Sequence, residues 1–164
     1  MQPRTRYVAK FVVVLAVLGA LLSPEICAKQ GDYVAGHYVV GSPQPELRSS
    51  CDARLEAHQL AKSLPGAFVV RGLGKSMQPL YASGTFLVVQ PQAYDQLARG
   101  MTVVFRNQTH SITHVLVAKT PDGWRTTGLN NRRPDYLPVN NHNILGVVVA
   151  AFTPVEGQAV GMLR

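Results

Sequence analysis

From Phe11 to Leu22 the chain is an unbroken apolar run, and no later segment has one as long. A helix packed on a core would break such a run with polar positions on one side, so apolarity all round sets this segment apart from the body. Arg4, Arg6 and Lys10 precede it, and Ser23, Pro24 and a small-residue site ending in Cys27-Ala28 follow. Basic, apolar, breaker, small: this is the layout of an export signal. Twelve residues at the helical rise span about 18 Å, so crossing a hydrocarbon core of about 30 Å needs Tyr7 to Ala9 as well. A cleaved signal and a retained anchor both remain open.

Residues 29–50 are rich in Gly, Pro, Ser and Gln and read as a stalk or irregular leader, with one β-like run at Tyr38 to Val40. Ser50 to Ser63 reads as a helix with a loose apolar stripe (Ala53, Leu55, Ala57, Leu60, Ala61, Leu64), stopped by Leu64-Pro65-Gly66. From Ala67 the pattern changes to short β runs between turn residues: Ala67 to Val70, Thr85 to Gln90, Thr102 to Arg106, Ile112 to Lys119, Trp124 to Thr127 and Ile144 to Phe152. Ala93 to Ala98 has room for one helical turn, and Pro121-Asp122-Gly123 is a hairpin signal. The expected fold is mainly β: an antiparallel sheet of about six strands, one or two short helices, and the N-terminal apolar helix. The expected division is 1–28, signal or anchor; 29–66, stalk and helix; and 67–164, the working domain.

Composition narrows the function classes. The chain has 164 residues, room for one globular domain and a short extra segment. Apolar residues make up 46%, enough for a core and too much for intrinsic disorder. Sixteen Lys and Arg against nine Asp and Glu give +7, which raises nucleic acid or an anionic membrane as partner. Three of those charges belong to the N-terminal tail, and Arg132-Arg133 is the one adjacent pair in the rest. With no aromatic-interleaved basic stripe and no helix-turn-helix pattern, nucleic acid is set aside and the membrane kept. By the positive-inside rule everything after Leu22 is delivered outside the cytoplasm. Two cysteines, Cys27 and Cys51, are too few for a disulfide scaffold.

Candidate chemistry starts in the turn after the first β run, Arg71-Gly72-Leu73-Gly74-Lys75-Ser76-Met77-Gln78-Pro79. Glycines before a Ser leave its hydroxyl unshielded, and the following Pro fixes the exit. The spacing does not fit a phosphate-binding loop, because Val69 stands where the first Gly would be. A Ser needs a base within about 3 Å to become a nucleophile. His114 is the candidate, on one strand face with Ile112 and Leu116; a satisfied core histidine is the plainer alternative. Lys119 is the rival base. His110 shares the His114 face, but no carboxylate stands at ligand spacing, so no metal is expected. Asp135, after the loop Gly128 to Pro134, is the acid that would orient the imidazole, unless Arg132 and Arg133 simply pair with it.

The stretch Gly74-Lys75-Ser76-Met77-Gln78-Pro79 resembles the Gly-x-Ser-Met-x-Pro motif of type I signal peptidases. Gln90 to Arg106, Ile112-Thr113-His114-Val115, Trp124 to Asp135 and Ile144 to Val149 resemble the family's later blocks in order, so the likeness runs from Val69 to Val149. It implies a coiled, barrel-like peptidase body and a serine endopeptidase acting at the outer face of the membrane. An exported preprotein or pilin-like protein is the implied substrate. No cofactor is implied. His114 at the base position is similar to the archaeal and endoplasmic-reticulum branch. By the same resemblance Ser76 is the nucleophile, His114 the base and Asp135 the acid, with Gly74, Met77 and Val69 around the oxyanion and substrate. The chain departs from the pattern where Leu129, Thr85 and Met101 replace family acids and Val115 replaces an Arg. Two rivals stand beside this reading: a self-cleaving peptidase of LexA type, which shares the Ser-Met-x-Pro turn but uses Lys, and a non-catalytic envelope β protein.

Overall fold

The computed structural model describes residues 32–108 and 110–156, so the N-terminal apolar run and Cys27 lie outside the described residues. The elements in order are β1 (Tyr33–Val34), β2 (His37–Tyr38), β3 (Glu46–Ser49), α1 (Ser50–Ser63), β4 (Phe68–Arg71), β5 (Phe86–Gln90), β6 (Thr102–Asn107), β7 (His110–Thr120), β8 (Gly123–Thr127) and β9 (Ile144–Val155). One 3-10 turn, Tyr94–Gln96, forms where a helical turn is expected. The Val, Ile and Phe runs become strands because branched and aromatic side chains pack well on a pleated surface. Among the described residues, no helix is long and apolar enough to cross a membrane.

Six strands lie in the order β4-β5-β9-β6-β7-β8, every neighbouring pair antiparallel, and β3 joins alongside β9 to make a sheet of seven. Among the described residues β4 and β8 are its ends, and no pairing between them closes the sheet into a barrel. β9 holds it together: it pairs with β6 over Ile144 to Val147, with β5 over Val147 to Phe152 and, in parallel, with β3 over Phe152 to Val155. Its register shifts against both antiparallel partners, the mark of bulges that locally raise a strand's twist. Gly146 sits at this crossing, where a β-carbon would stand 2.5 Å from the Gln90 carbonyl oxygen.

The core divides by face. Leu87, Val89, Val104, Val115, Val148 and Ala151 point to one side and are capped there by Met77, Leu80, Tyr81 and Leu129. On the other side α1 covers Val88, Phe86 and Phe152, while Trp124, Phe105, Leu116 and Val139 form a third cluster. α1 has the expected bounds, but its buried face is Ala53, Ala57 and Ala61, with Leu55 exposed. Alanines let the helix axis lie close on the sheet, and the larger leucines fall to its flanks.

Residues 32–49 correct the expected stalk. Val39 is 2% exposed within the main cluster, Ser42 bonds the Gly100 carbonyl and the Thr102 hydroxyl, and Glu46–Ser49 is a sheet strand. The β-like run falls on His37–Tyr38, paired with Tyr33–Val34 in a small hairpin. Short strands rich in Gly and Pro give little periodic signal, and a parallel partner distant in sequence gives none.

Candidate active site

Ser76 stands in the turn between β4 and β5, and its neighbours determine how it is held. Gly74 takes φ +86°, a region closed to most side chains, and the Gln78-Pro79 peptide is cis. Met77 is buried under the turn and Tyr81 donates from its phenol to the Pro43 carbonyl at 2.8 Å. Burial pushes the Tyr81 phenol well above its ordinary pKa, so it stays a neutral donor. The loop after β8 clamps the turn from the other side: Asn130 donates its backbone N–H to the Ser76 carbonyl at 2.8 Å and its amide to the Lys75 carbonyl at 3.2 Å. Leu129, where the resemblance has an acid, is 3% exposed in the core beneath this loop.

His114 lies in the middle of β7, and its side chain is 8% exposed. Its Nδ1 is 2.6 Å from Asp135 Oδ2. A carboxylate only accepts, so Nδ1 is the donor of this bond and Nε2 is the ring nitrogen left for other partners. Thr126 donates its hydroxyl to the same Oδ2 at 2.6 Å, and the Asp135 N–H bonds the Thr126 carbonyl at 2.8 Å. The sheet makes this possible: Leu116 pairs with Thr126, so period two places His114 and Thr126 on one face, reaching one carboxylate. Thr126 was not legible as a site residue, since a Thr in a strand carries no chemical signature of its own.

Ser76 and His114 both line a cleft of about 340 Å³ together with Gly74, Leu73 and Val70. No hydrogen bond joins Ser76 Oγ to His114 Nε2 in this conformation. What brings the two close is Gly128: a β-carbon there would stand 2.8 Å from His114 Nε2, 2.8 Å from the Ser76 carbonyl and 2.8 Å from Asn131 Nδ2. The imidazole and the serine turn therefore approach each other across the one residue without a side chain.

The structure also places Val69 and the rival base Lys119. Val69 belongs to the cluster under α1 and its neighbour Val70 faces the cleft, because alternation sends successive side chains to opposite faces. Lys119 is not among the cleft residues; its ammonium lies over the Tyr94 ring, 6.0 Å from the centroid. Asp135 pairs with His114 and not with Arg132 or Arg133, and His114, bonded to this carboxylate, also lines the cleft.

A family model described as Peptidase S24-like matches residues 31–149 of the chain. No curated protein and no solved structure matches it.

Proposed function

The chain belongs to the Peptidase S24-like family of serine peptidases, and from that premise we propose that it is an endopeptidase that removes signal peptides or leader segments from exported proteins at the outer face of the membrane. The single observation that carries the mechanism is the 2.6 Å contact of His114 Nδ1 with Asp135 on an imidazole that faces the cleft of Ser76. Ser76 Oγ attacks the scissile carbonyl carbon as its proton passes to His114 Nε2, and Asp135 stabilises the imidazolium. The Ser76 backbone N–H meets the oxyanion, a contact worth about 3 kcal/mol in such sites. His114 then protonates the departing amine, and water, deprotonated by the same ring, releases the acyl group from Ser76.

Support for an exported substrate comes from the basic and apolar residues before residue 28, and from His114 rather than Lys119 facing the cleft. β4 supports the mode of binding. Among the described residues it pairs with β5 alone, so its outer edge offers backbone groups to an extended peptide, with Val70 and Leu73 beside the cleft. Shallow apolar walls select small residues before the cut.

The test is labelling of the full-length chain by a serine-directed phosphonate, alongside cleavage of a preprotein supplied in trans. Label on the wild type and none on Ser76→Ala, with cleavage lost in Ser76→Ala and His114→Ala, is the expected result. Equal labelling of both chains would remove the nucleophile assignment. Cleavage of the chain itself, with no turnover of the added preprotein, would move the activity to the self-cleaving class.

A further inference from the structure

A second recess, of about 280 Å³, lies beside the loop that carries Asp135. Arg125 on β8 and Arg132 and Arg133 on the loop line it, with His37 from the N-terminal hairpin and the aliphatic surfaces of Val117 and Pro134. No carboxylate lines it. Among the described residues the ion pairs are Arg48 with Glu46 and Glu56 and His114 with Asp135, so none of the three recess guanidiniums has a counter-ion. Three like charges gathered without an anion repel one another, and an oxyanion placed among them relieves that repulsion. The guanidinium fork fits a carboxylate or phosphate in bidentate fashion, and the aliphatic walls fit the stem of a side chain.

The recess adjoins the catalytic groups. Thr127 and Asn131, which line it, lie on either side of Gly128, the residue across which His114 Nε2 and the Ser76 turn approach each other. We propose that this recess is a specificity subsite that takes the carboxylate of an acidic side chain of the peptide substrate, close to the scissile bond. The inference rests on the endopeptidase reading and adds to it a preference: small residues before the cut, an acidic one beside it.

The test uses the full-length Ser76→Ala chain in detergent and two fluorescein-labelled peptides, identical except for Glu or Gln after an Ala-x-Ala segment, with binding read by anisotropy. The Glu peptide binds about tenfold more tightly, the worth of a hydrogen-bonded charge pair, and the gap narrows as salt rises. In Arg125→Gln/Arg132→Gln and in Arg133→Gln, all exposed positions, the gap closes. In Arg125→Lys/Arg132→Lys, which keeps the charge without the fork, part of it stays. Equal binding of the two peptides overturns the proposal, as does a Glu preference that ignores the Arg substitutions. Inorganic phosphate and phosphatidylglycerol vesicles are the remaining arms. Arg-dependent binding of either, without any Glu preference, assigns the recess to free phosphate or to a lipid headgroup and overturns the substrate subsite. Phosphonate labelling of Ser76 is read separately: label without a Glu preference sinks only the subsite, and a Glu preference without label sinks the peptidase reading and leaves the recess a peptide-binding site without a substrate role.

Discussion

Asp135 accepts from two side chains at one oxygen, and this doubles the constraint on the imidazole it orients. Asp135→Asn keeps the shape and reverses the donor pattern at His114, so preprotein cleavage falls by about 10³- to 10⁴-fold while thermal stability changes little. Thr126→Val removes one donor and leaves the His114–Asp135 hydrogen bond, and a loss nearer to tenfold is expected. Steady-state cleavage of the same preprotein by both variants checks the order; a Thr126→Val loss equal to that of Asp135→Asn contradicts it. Gly128→Ala is a sharper probe. Its methyl would press on the His114 ring, the Ser76 carbonyl and the Asn131 amide at once, and displacement of the imidazole or the serine by about 1 Å costs roughly a hundredfold in rate. Unchanged turnover in Gly128→Ala would show that the approach of these groups is not needed for cleavage.

At the scale of elements, α1 and β4 illustrate different degrees of legibility. The helix was readable because its bounds are chemical: Ser49 accepts the Asp52 N–H at 3.2 Å at one end, and Pro65-Gly66 stops it at the other. Ser49→Ala should cost about 1 kcal/mol, seen as a fall of a few degrees in melting temperature, with cleavage untouched because α1 lies on the face away from the cleft. Which face α1 buries was not readable, since a stripe containing both leucines and alanines does not reveal how closely the sheet will approach. In β4 the run was evident but the choice between Val69 and Val70 was not. A one-residue shift exchanges the two faces, and only pairing with β5 decides it.

On the scale of the whole molecule, residues 32–66 belong to the body. β3 supplies a partner for the end of β9, and α1 covers Val88 and Phe152. A chain beginning at Ala67 would expose that surface and leave the Phe152–Val155 end of β9 without its β3 partner, so no cooperative thermal transition by circular dichroism is expected; a normal transition would restore the division at residue 67. The full-length Phe105→Ala chain, hollowed at a position of 0% exposure, should lose about 3–5 kcal/mol in denaturant unfolding. Sequence by itself determined the β strands from Phe68 to Val155, the 14-residue helix and the turn that carries Ser76, because periodicity, caps and turn chemistry are local properties. Tertiary structure alone decided that β3 runs parallel to β9, that Gly128 lets the imidazole and serine turn approach, that Thr126 shares Asp135, and that three arginines gather in one recess. Each of these joins residues through strand register and sheet curvature, which are set by packing over the whole core and leave no mark on any one segment.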